Sequence, residues 1–277
     1  MIPLYEFHSH TDYTDGRDSM ETMIKTACDR GLKGFGISEH LFCDNPDWGF
    51  KGAELDAYLD ELELAKEKYR GRMEILTGLE VEDSEALDYI TPAQLARTDY
   101  LIRSCHSTFY NGEWVGIDSG DSGYIIDTVE KVFGGSWYEM VRAYYDTQSK
   151  INPKMNYSFI AHFDLITKFN QDDRFFRTDC DEYLEPAIAA LDELLHADIP
   201  FEINSGAMSR GHRKEPYPQI PFLKEICQRK GRILVSSDAH RAEHICYNYY
   251  ESIRLAYDCG FRKMTVLTLQ GPKEIDL

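Results

Sequence analysis

Short apolar segments of β-forming residues alternate with amphipathic stretches along the chain, and this alternation limits the fold more than any other feature. Strands that alternate with helices form parallel β-α-β units. Segments such as "GFGIS" (34–38) and "RILVSS" (232–237) are apolar on both faces, as is typical of buried parallel strands. We predict seven such strands at 4–10, 34–39, 74–82, 100–107, 157–163, 200–205 and 232–240, and an eighth at 263–269.

Helical patterns lie between the strands, and several have recognisable ends. Asp18 with Glu21 resembles a capping box, and Thr91 before a proline resembles an N-cap. Gly31 and Gly71 stand where helices end. The sequence shows no linker or break in composition, so we expect one domain over residues 1–277. The predicted helices cover 19–31, 53–70, 126–149, 181–197, 218–230 and 241–260, and the longest loops cover 40–52, 107–125 and 164–180.

Histidines and acidic residues fall at the predicted strand ends. In a β/α barrel these carboxyl ends meet on one face, where active sites are built. Residues two apart on a strand also point the same way, which pairs His8 with His10 and Asp238 with His240. A single histidine of this kind is an ordinary polar residue, but the set predicts a metal centre. Its members are His8, His10, Asp15, His40, Glu80, His106, His162, Asp238 and His240.

Nine ligands are too many for one ion, because zinc sites take about three or four protein ligands and paired metals share a bridging carboxylate. Imidazole and carboxylate ligands suit Zn, Mn, Fe or Co without selecting among them. Cys105 is expected to point to the opposite face from His106, into the core. His196, His212 and His244 fall outside the strand-end pattern.

The charge and the cysteines limit the partners and the compartment. The formal net charge of −18 opposes binding to a nucleic-acid backbone or an anionic membrane, and it suits a cationic ligand. Seven cysteines without a C-x-x-C pair predict a reducing cytoplasm. We find no signal peptide and no apolar run of the roughly 20 residues that a bilayer span needs. The oligomeric state is not determined by the sequence.

A set of short motifs resembles the polymerase-and-histidinol-phosphatase (PHP) superfamily of metal phosphoesterases. The motifs occur in the family order over residues 6–240, and "AHFDLITKF" (161–169) with "FEINSGAMSRGHRKEPYP" (201–218) is similar to the histidinol-phosphatase branch. The shared motifs are "HSH" (8–10), Asp15 before Gly16, "SEH" (38–40), "GLE" (78–80), "CHS" (105–107), "AHFD" (161–164) and "SDAH" (237–240).

The resemblance implies an α/β fold, a distorted TIM-like (β/α)7 barrel with three divalent metals at the C-terminal strand ends. In parts of the superfamily the Asp15 position is a histidine, which leaves the identity of the metals open. The implied ligand sets are His8, His10, Glu80 and Asp238 for the first metal; Glu80, His106 and His162 for the second; and Asp15, His40 and His240 for the third.

The implied activity is hydrolysis of L-histidinol phosphate in histidine biosynthesis. We expect a hydroxide bridging two metals to attack phosphorus in line. Arg210 and Arg213 are the candidate phosphate ligands, because a guanidinium matches phosphate with two parallel hydrogen bonds. Asp15 or His240, acting through a metal-bound water, is expected to protonate the leaving group. The amine and imidazole of the substrate have only weak candidate partners, namely Asp44, Asp164 and Tyr110.

Two alternatives stay open at this point. One is a PHP phosphoesterase that acts on another small phosphate ester or on a phosphodiester. The other is a non-catalytic domain that keeps the barrel as a metal-binding scaffold. The complete set of ligand positions argues against the scaffold, since such a domain would lose ligands without penalty.

Overall fold

Seven strands lie side by side in one parallel sheet in the computed structural model, which describes residues 2–41, 49–50, 54–82 and 90–277. The strands are β1 Tyr5–Glu6, β2 Gly34–Leu41, β3 Glu74–Glu82, β4 Tyr100–Ser104, β5 Ser107–Tyr110, β6 Glu113–Gly116, β7 Phe159–Ile160, β8 Phe201–Asn204, β9 Ile233–Ser236, β10 Lys263–Val266 and β11 Lys273–Asp276. The sheet order is β1-β2-β3-β4-β7-β8-β9, so the strands of this sheet lie side by side in the order in which they occur in the chain.

The first and last strands of this sheet meet, so that it curls into a nearly closed barrel. A parallel bridge joins Ser9 to Ala239 just beyond the two strand ends. The amide of His10 donates to the carbonyl of Ala239 over 2.9 Å, and the amide of Ala239 donates to the carbonyl of His8 over 3.1 Å. The predicted seven-stranded α/β barrel is confirmed. The eighth predicted strand lies outside it, as β10 in an antiparallel pair with β11.

The helices fall between the strands, as the alternation predicts. The helices are α1 Met20–Asp29, α2 Glu54–Tyr69, α3 Pro92–Leu95, α4 Ser122–Val132, α5 Trp137–Gln148, α6 Asp181–His196, α7 Gly206–Ser209, α8 Ile220–Gln228 and α9 Tyr249–Cys259.

Side-chain hydrogen bonds show how two of these helices begin. Thr91 and Gln94 form the capping box of α3. The cap of α1 is Ser19 rather than Asp18, because Ser19 accepts from the amide of Thr22 while Asp18 accepts from the amide of Ala242.

Two predicted helices and one predicted loop differ from the structure. The helix expected at 126–149 is two helices, because Gly134 and Gly135 adopt φ values of 60° and 79° that break the helical path. The helix expected at 241–260 begins only at Tyr249, after a short 3₁₀ turn. The expected loop 107–125 contains the β5–β6 hairpin and the start of α4. Of the expected loop 40–52, residues 42–48 and 51–52 lie outside the described residues.

The lower half of the barrel interior is filled by Tyr100. A Cβ atom added at Gly36 would lie 2.2 Å from the hydroxyl oxygen of Tyr100, and one added at Gly78 would lie 2.1 Å from its ring, so these two glycines make room for the side chain. The hydroxyl of Tyr100 donates to the carbonyl of Phe7 over 2.7 Å. The ring also lies 6.3 Å from that of Phe159 on the neighbouring strand β7. This half is therefore closely packed, and the hydroxyl has its partner.

Within the described ranges, no helix combines the length and the apolar character that crossing a bilayer requires. The apolar side chains instead form two buried clusters around the barrel. Cys105 lies in the larger of these clusters, as predicted. The extent of the single domain over 1–277 stays a prediction.

Candidate metal centre

All nine predicted ligands gather at the carboxyl end of the barrel. His40 and Glu80 lie within β2 and β3, and the others follow the ends of their strands. Two of the residues that follow strand ends have an unusual backbone conformation, which turns them back toward the centre. His162 has φ 23° and Asp238 has φ 48°, where few residues other than glycine are found. Such strain is typical of functional sites, because the surrounding structure must hold it in place.

Glu80 stands at the centre of the cluster and contacts five imidazoles. Its Oε1 lies 3.0 Å from Nε2 of His162, and its Oε2 lies 2.8 Å from Nδ1 of His40. Burial would raise the pKa of Glu80, but His8, His40 and His106 hold it well below its ordinary value. The carboxylate is thus charged and central, as a metal-bridging ligand must be. The remaining nitrogens are Nε2 of His8 at 3.3 Å, of His10 at 3.5 Å and of His106 at 3.5 Å.

A second group of ligands lies around Asp15. Its Oδ1 is 3.4 Å from Nε2 of His40, and its Oδ2 is 3.1 Å from Nε2 of His240. The ring of His10 stacks on that of His40, with the centroids 4.2 Å apart, and reaches to within 4.4 Å of the ring of His240. These four side chains offer ligand atoms within 4.8 Å of one another.

The described residues form four such groups of ligand atoms, and together they include all nine predicted ligands. The groups differ in part from the sets implied by the resemblance, because Glu80 is absent from the group of Asp238, and His106 and His162 lie in separate groups, each with Glu80. His10 also joins the group of the third metal, and His8 joins that of Glu80 and His162. The four groups are His10, Asp15, His40 and His240; His8, His10 and Asp238; His8, Glu80 and His162; and His40, Glu80 and His106.

Several ligand atoms have no hydrogen-bond partner among the described residues, although they are fully buried. These atoms include Nε2 of His8, both ring nitrogens of His10 and Oε2 of Glu80. Leaving buried polar atoms unpaired costs free energy, so a structure normally supplies them with partners. Burial and the neighbouring His40 and His240 also lower the pKa of His10 to about 3. A neutral imidazole is the form that binds metal, so His10 is ready to bind a divalent ion. At His8, burial would lower the pKa, but Glu202, Glu80 and Asp238 raise it well above its ordinary value, and a bound cation would meet the same negative potential.

Behind the ligands lies a layer of carboxylates that the sequence analysis missed. Glu39 accepts from the amide of Thr11 over 2.8 Å, and burial raises its pKa to about 8. Glu82 accepts from the amides of His106 and Ser107 over 2.9 Å and 2.8 Å. Glu202 lies against His8. Along β3, alternation places Glu82 on the same face as Glu80, whereas along β2 it places Glu39 on the opposite face from His40. Alternation therefore marks only some of these carboxylates as inward-facing.

Arg210 lies beside the cluster, whereas Arg213 does not. The guanidinium of Arg210 donates to Oδ2 of Asp238 over 2.9 Å and to Nδ1 of His240 over 3.0 Å. The guanidinium of Arg213 is buried against Thr167 and the ring of Tyr217. The structure therefore brings Arg210 to the pocket and leaves Arg213 outside the pocket wall.

A cavity of about 750 Å³ opens above the ligands and contains further charged side chains. Lys168 lies in its wall and donates to Oδ1 of Asp118 over 2.6 Å. His212 and His244, which did not fit the strand-end pattern, also line it. His212 follows α7 after β8, and His244 ends the 3₁₀ turn Ala242–His244 after β9, so both lie too far beyond their strand ends to fit the strand-end pattern.

The weak candidates for recognition of the substrate are placed elsewhere or not described. Asp164 is buried and accepts from the amide of Gln219 over 3.1 Å, and Tyr110 packs on Phe133. Neither residue lines the cavity. Asp44 lies outside the described residues.

Comparison with known protein families identifies the family of this chain. Residues 6–206 match the model of the PHP domain. The chain belongs to the PHP domain family. The predicted resemblance is thereby confirmed, and the cluster of the PHP domain at the barrel mouth is the candidate site.

Two curated relatives of this PHP chain carry a histidinol-phosphatase name. A "Probable histidinol-phosphatase" from Deinococcus radiodurans is 24% identical over 279 residues, covering 96% of this chain and 97% of its own. The histidinol-phosphatase of Bacillus subtilis is 22% identical over 262 residues, covering 87% and 95%. A histidinol phosphate phosphatase from Lactococcus lactis, solved with zinc, L-histidinol and phosphate, superposes with a TM-score of 0.74 at 19% identity, covering 97% and 98%.

Proposed function

We propose that this protein hydrolyses L-histidinol phosphate to L-histidinol and phosphate. The observation that carries the proposal is the gathering of nine ligand-type side chains, Glu80 among them, next to Arg210 in a cavity large enough for a small phosphate ester. The names of the curated relatives, which match nearly along their whole length, support the choice of substrate.

The proposed cofactors are three divalent metal ions. Glu80 would bridge the first two ions, and the groups of ligand atoms around it support this arrangement. Zinc is favoured by the Lactococcus lactis structure, with manganese and iron as the alternatives. Such ions supply positive charge for the phosphoryl oxygens and an activated water. The first would lie among His8, His10, Glu80 and Asp238, the second among Glu80, His106 and His162, and the third among Asp15, His40 and His240.

The remaining steps fall to the chain's own residues. We assign phosphate binding to Arg210, because its guanidinium lies in the cavity wall and is held in place by Asp238. Such a fixed donor stabilises charge as it develops on the equatorial oxygens. We propose that the proton for the leaving oxygen comes through a water held beside Asp15 and His240, whose side chains lie 3.1 Å apart. Arg213 has no direct part in this proposal.

We further propose a reducing, cytoplasmic location and a small-molecule partner. The described cysteines are all unbridged, which suits such a compartment. The net charge of −18 argues against a nucleic-acid or anionic-membrane partner.

The test is phosphate release by purified protein with added Zn or Mn. We expect turnover of L-histidinol phosphate well above that of a sugar phosphate and a phosphodiester. Turnover of another ester in its place would favour a different PHP phosphoesterase, whereas bound metal without any turnover would favour a scaffold. Metal analysis of protein purified without added ions identifies the native ions.

A further inference from the structure

Glu202 lies on β8, inside the barrel and directly behind two of the candidate metal ligands. Its side chain is completely buried. Its Oε1 accepts from Nδ1 of His8 over 2.7 Å and from the hydroxyl of Ser236 over 2.5 Å. Its Oε2 accepts from the amide of His162 and from Nδ2 of Asn204, both over 2.9 Å. One carboxylate thus connects residues that follow or belong to four different strands.

The four donors fix the orientation of this carboxylate. A charged carboxylate only accepts hydrogen bonds, so Nδ1 of His8 must carry a proton in this contact. In the neutral form of the ring that binds metal, the lone pair of His8 is then on Nε2, which lies 3.3 Å from Oε2 of Glu80. The amide of His162 is held by the other oxygen, at the residue whose φ of 23° turns its ring inward.

We propose that Glu202 is a positioning residue of the metal centre, which fixes the tautomer and ring orientation of His8 and the inward turn at His162. The inference rests on the proposed metal function. Carboxylates that accept from the far nitrogen of a metal-bound histidine make the ring a better oriented and more basic ligand. Glu202 would act on two of the candidate ligands at once.

Glu6 offers a matched control, because it is another completely buried carboxylate of the same barrel. It accepts from the amides of His8 and Ser237 over 3.2 Å and 3.0 Å, and from that of Cys246 over 3.1 Å. None of the described contacts of Glu6 involves an imidazole ring. Glu6→Gln therefore repeats the chemical change of Glu202→Gln without touching a ligand ring.

The experiment compares zinc affinity in wild type, Glu202→Gln and Glu6→Gln by competition with a chromophoric chelator. A glutamine at position 202 must direct its NH₂ group at donors, which disrupts one side of the network. We expect zinc affinity to fall by about 10- to 100-fold in Glu202→Gln and by less than about threefold in Glu6→Gln. Equal affinities in the two variants would overturn the inference.

A second measurement separates positioning from general stability. In zinc-loaded wild-type protein, the Nδ1 proton of His8 should give a slowly exchanging, downfield NMR resonance, because its acceptor is a buried carboxylate. Glu202→Gln should shift it upfield and speed its exchange, and Glu6→Gln should not. An unchanged resonance in Glu202→Gln would contradict the assignment. If Glu202→Gln does not fold, Glu202→Asp keeps the charge but withdraws it from the ring, and the same two outcomes apply.

Neither readout depends on turnover. Tight zinc binding that weakens in Glu202→Gln, together with no release of phosphate from histidinol phosphate, would reject the proposed substrate and retain the inference. Hydrolysis by wild type with undiminished zinc affinity in Glu202→Gln would do the reverse.

Discussion

The two halves of the barrel interior are built by the same strands, but they differ in whether their buried polar atoms have hydrogen-bond partners. In the lower half, Tyr100 fills the space left by Gly36 and Gly78, and its hydroxyl donates to a backbone carbonyl. In the upper half, buried atoms of His8, His10 and Glu80 lack hydrogen-bond partners within the described chain. The lower half is therefore organised for stability, and the upper half is organised to bind ligands at a cost in stability.

The largest expected effect comes from Asp238→Ala in the upper half. We expect loss of the first metal and a decrease in phosphatase activity of at least about 1000-fold, because Asp238 also holds Arg210. Measurements are metal content and phosphate release. Unfolding by urea in the presence of a chelator serves as the control, because it measures separately the stability lost with the Asp238–Arg210 ion pair. Retained activity would refute the assignment of Asp238 as a ligand.

Arg210→Ala should have the next largest effect, with activity on histidinol phosphate reduced by about 100-fold through loss of charge stabilisation. The comparison is Arg213→Ala, which removes a buried side chain outside the cavity. We expect Arg213→Ala to lower the free energy of unfolding while activity per folded molecule stays within about threefold. A larger loss of activity in Arg213→Ala than in Arg210→Ala would reverse our assignment of the phosphate ligand.

Gly78→Ala tests the lower half directly. The added Cβ would lie 2.1 Å from the ring of Tyr100, so the barrel must shift or the ring must move. We expect the free energy of unfolding to fall by about 1–3 kcal/mol, measured in urea with a chelator present. Zinc affinity should remain near that of the wild-type protein. Loss of metal without loss of stability would show that the two halves are not separable.

The smallest expected effect is a change in the pH dependence of stability. Burial, followed by Lys168 and Arg210, lowers the pKa of His212 below its ordinary value of 6.5. Below pH 6.5 the unfolded chain therefore takes up a proton at this position more readily than the folded chain, and stability is lost as the pH falls. His212→Gln should make this decline shallower, as measured by urea unfolding at pH 7 and pH 5. An identical decline would mean that His212 has an unperturbed environment.

The sequence predicts the parts of this molecule that depend on periodicity. The bounds of β3 were predicted correctly, because the nine residues from Glu74 to Glu82 contain no glycine–proline turn signal and are all buried except the first, which is half-buried. The convergence of the nine ligands also followed, since parallel strands must place their carboxyl ends together. The family match then confirmed the fold that the motifs imply.

What the sequence did not predict depends on local competition or on three-dimensional packing. Ser19 and Asp18 are both good caps, and only a distant contact with Ala242 occupies Asp18. The partnership of Glu202 with His8 joins residues far apart in the chain, and no spacing rule connects them. Arg210 and Arg213 lie in one loop with the same chemistry, and only the folded loop separates their roles.

The seam between β1 and β9 has a consequence for biosynthesis. Glu6 and Ser237 are 231 positions apart and yet share hydrogen bonds, so the cavity floor joins the earliest and latest strands of the barrel. A nascent chain emerging from the ribosome holds His8 and His10 long before Asp238 and His240 exist. The proposed first and third ion sites, which need Asp238 and His240, are therefore completed only after translation has passed the last strand, and contacts of such long range make assembly slow.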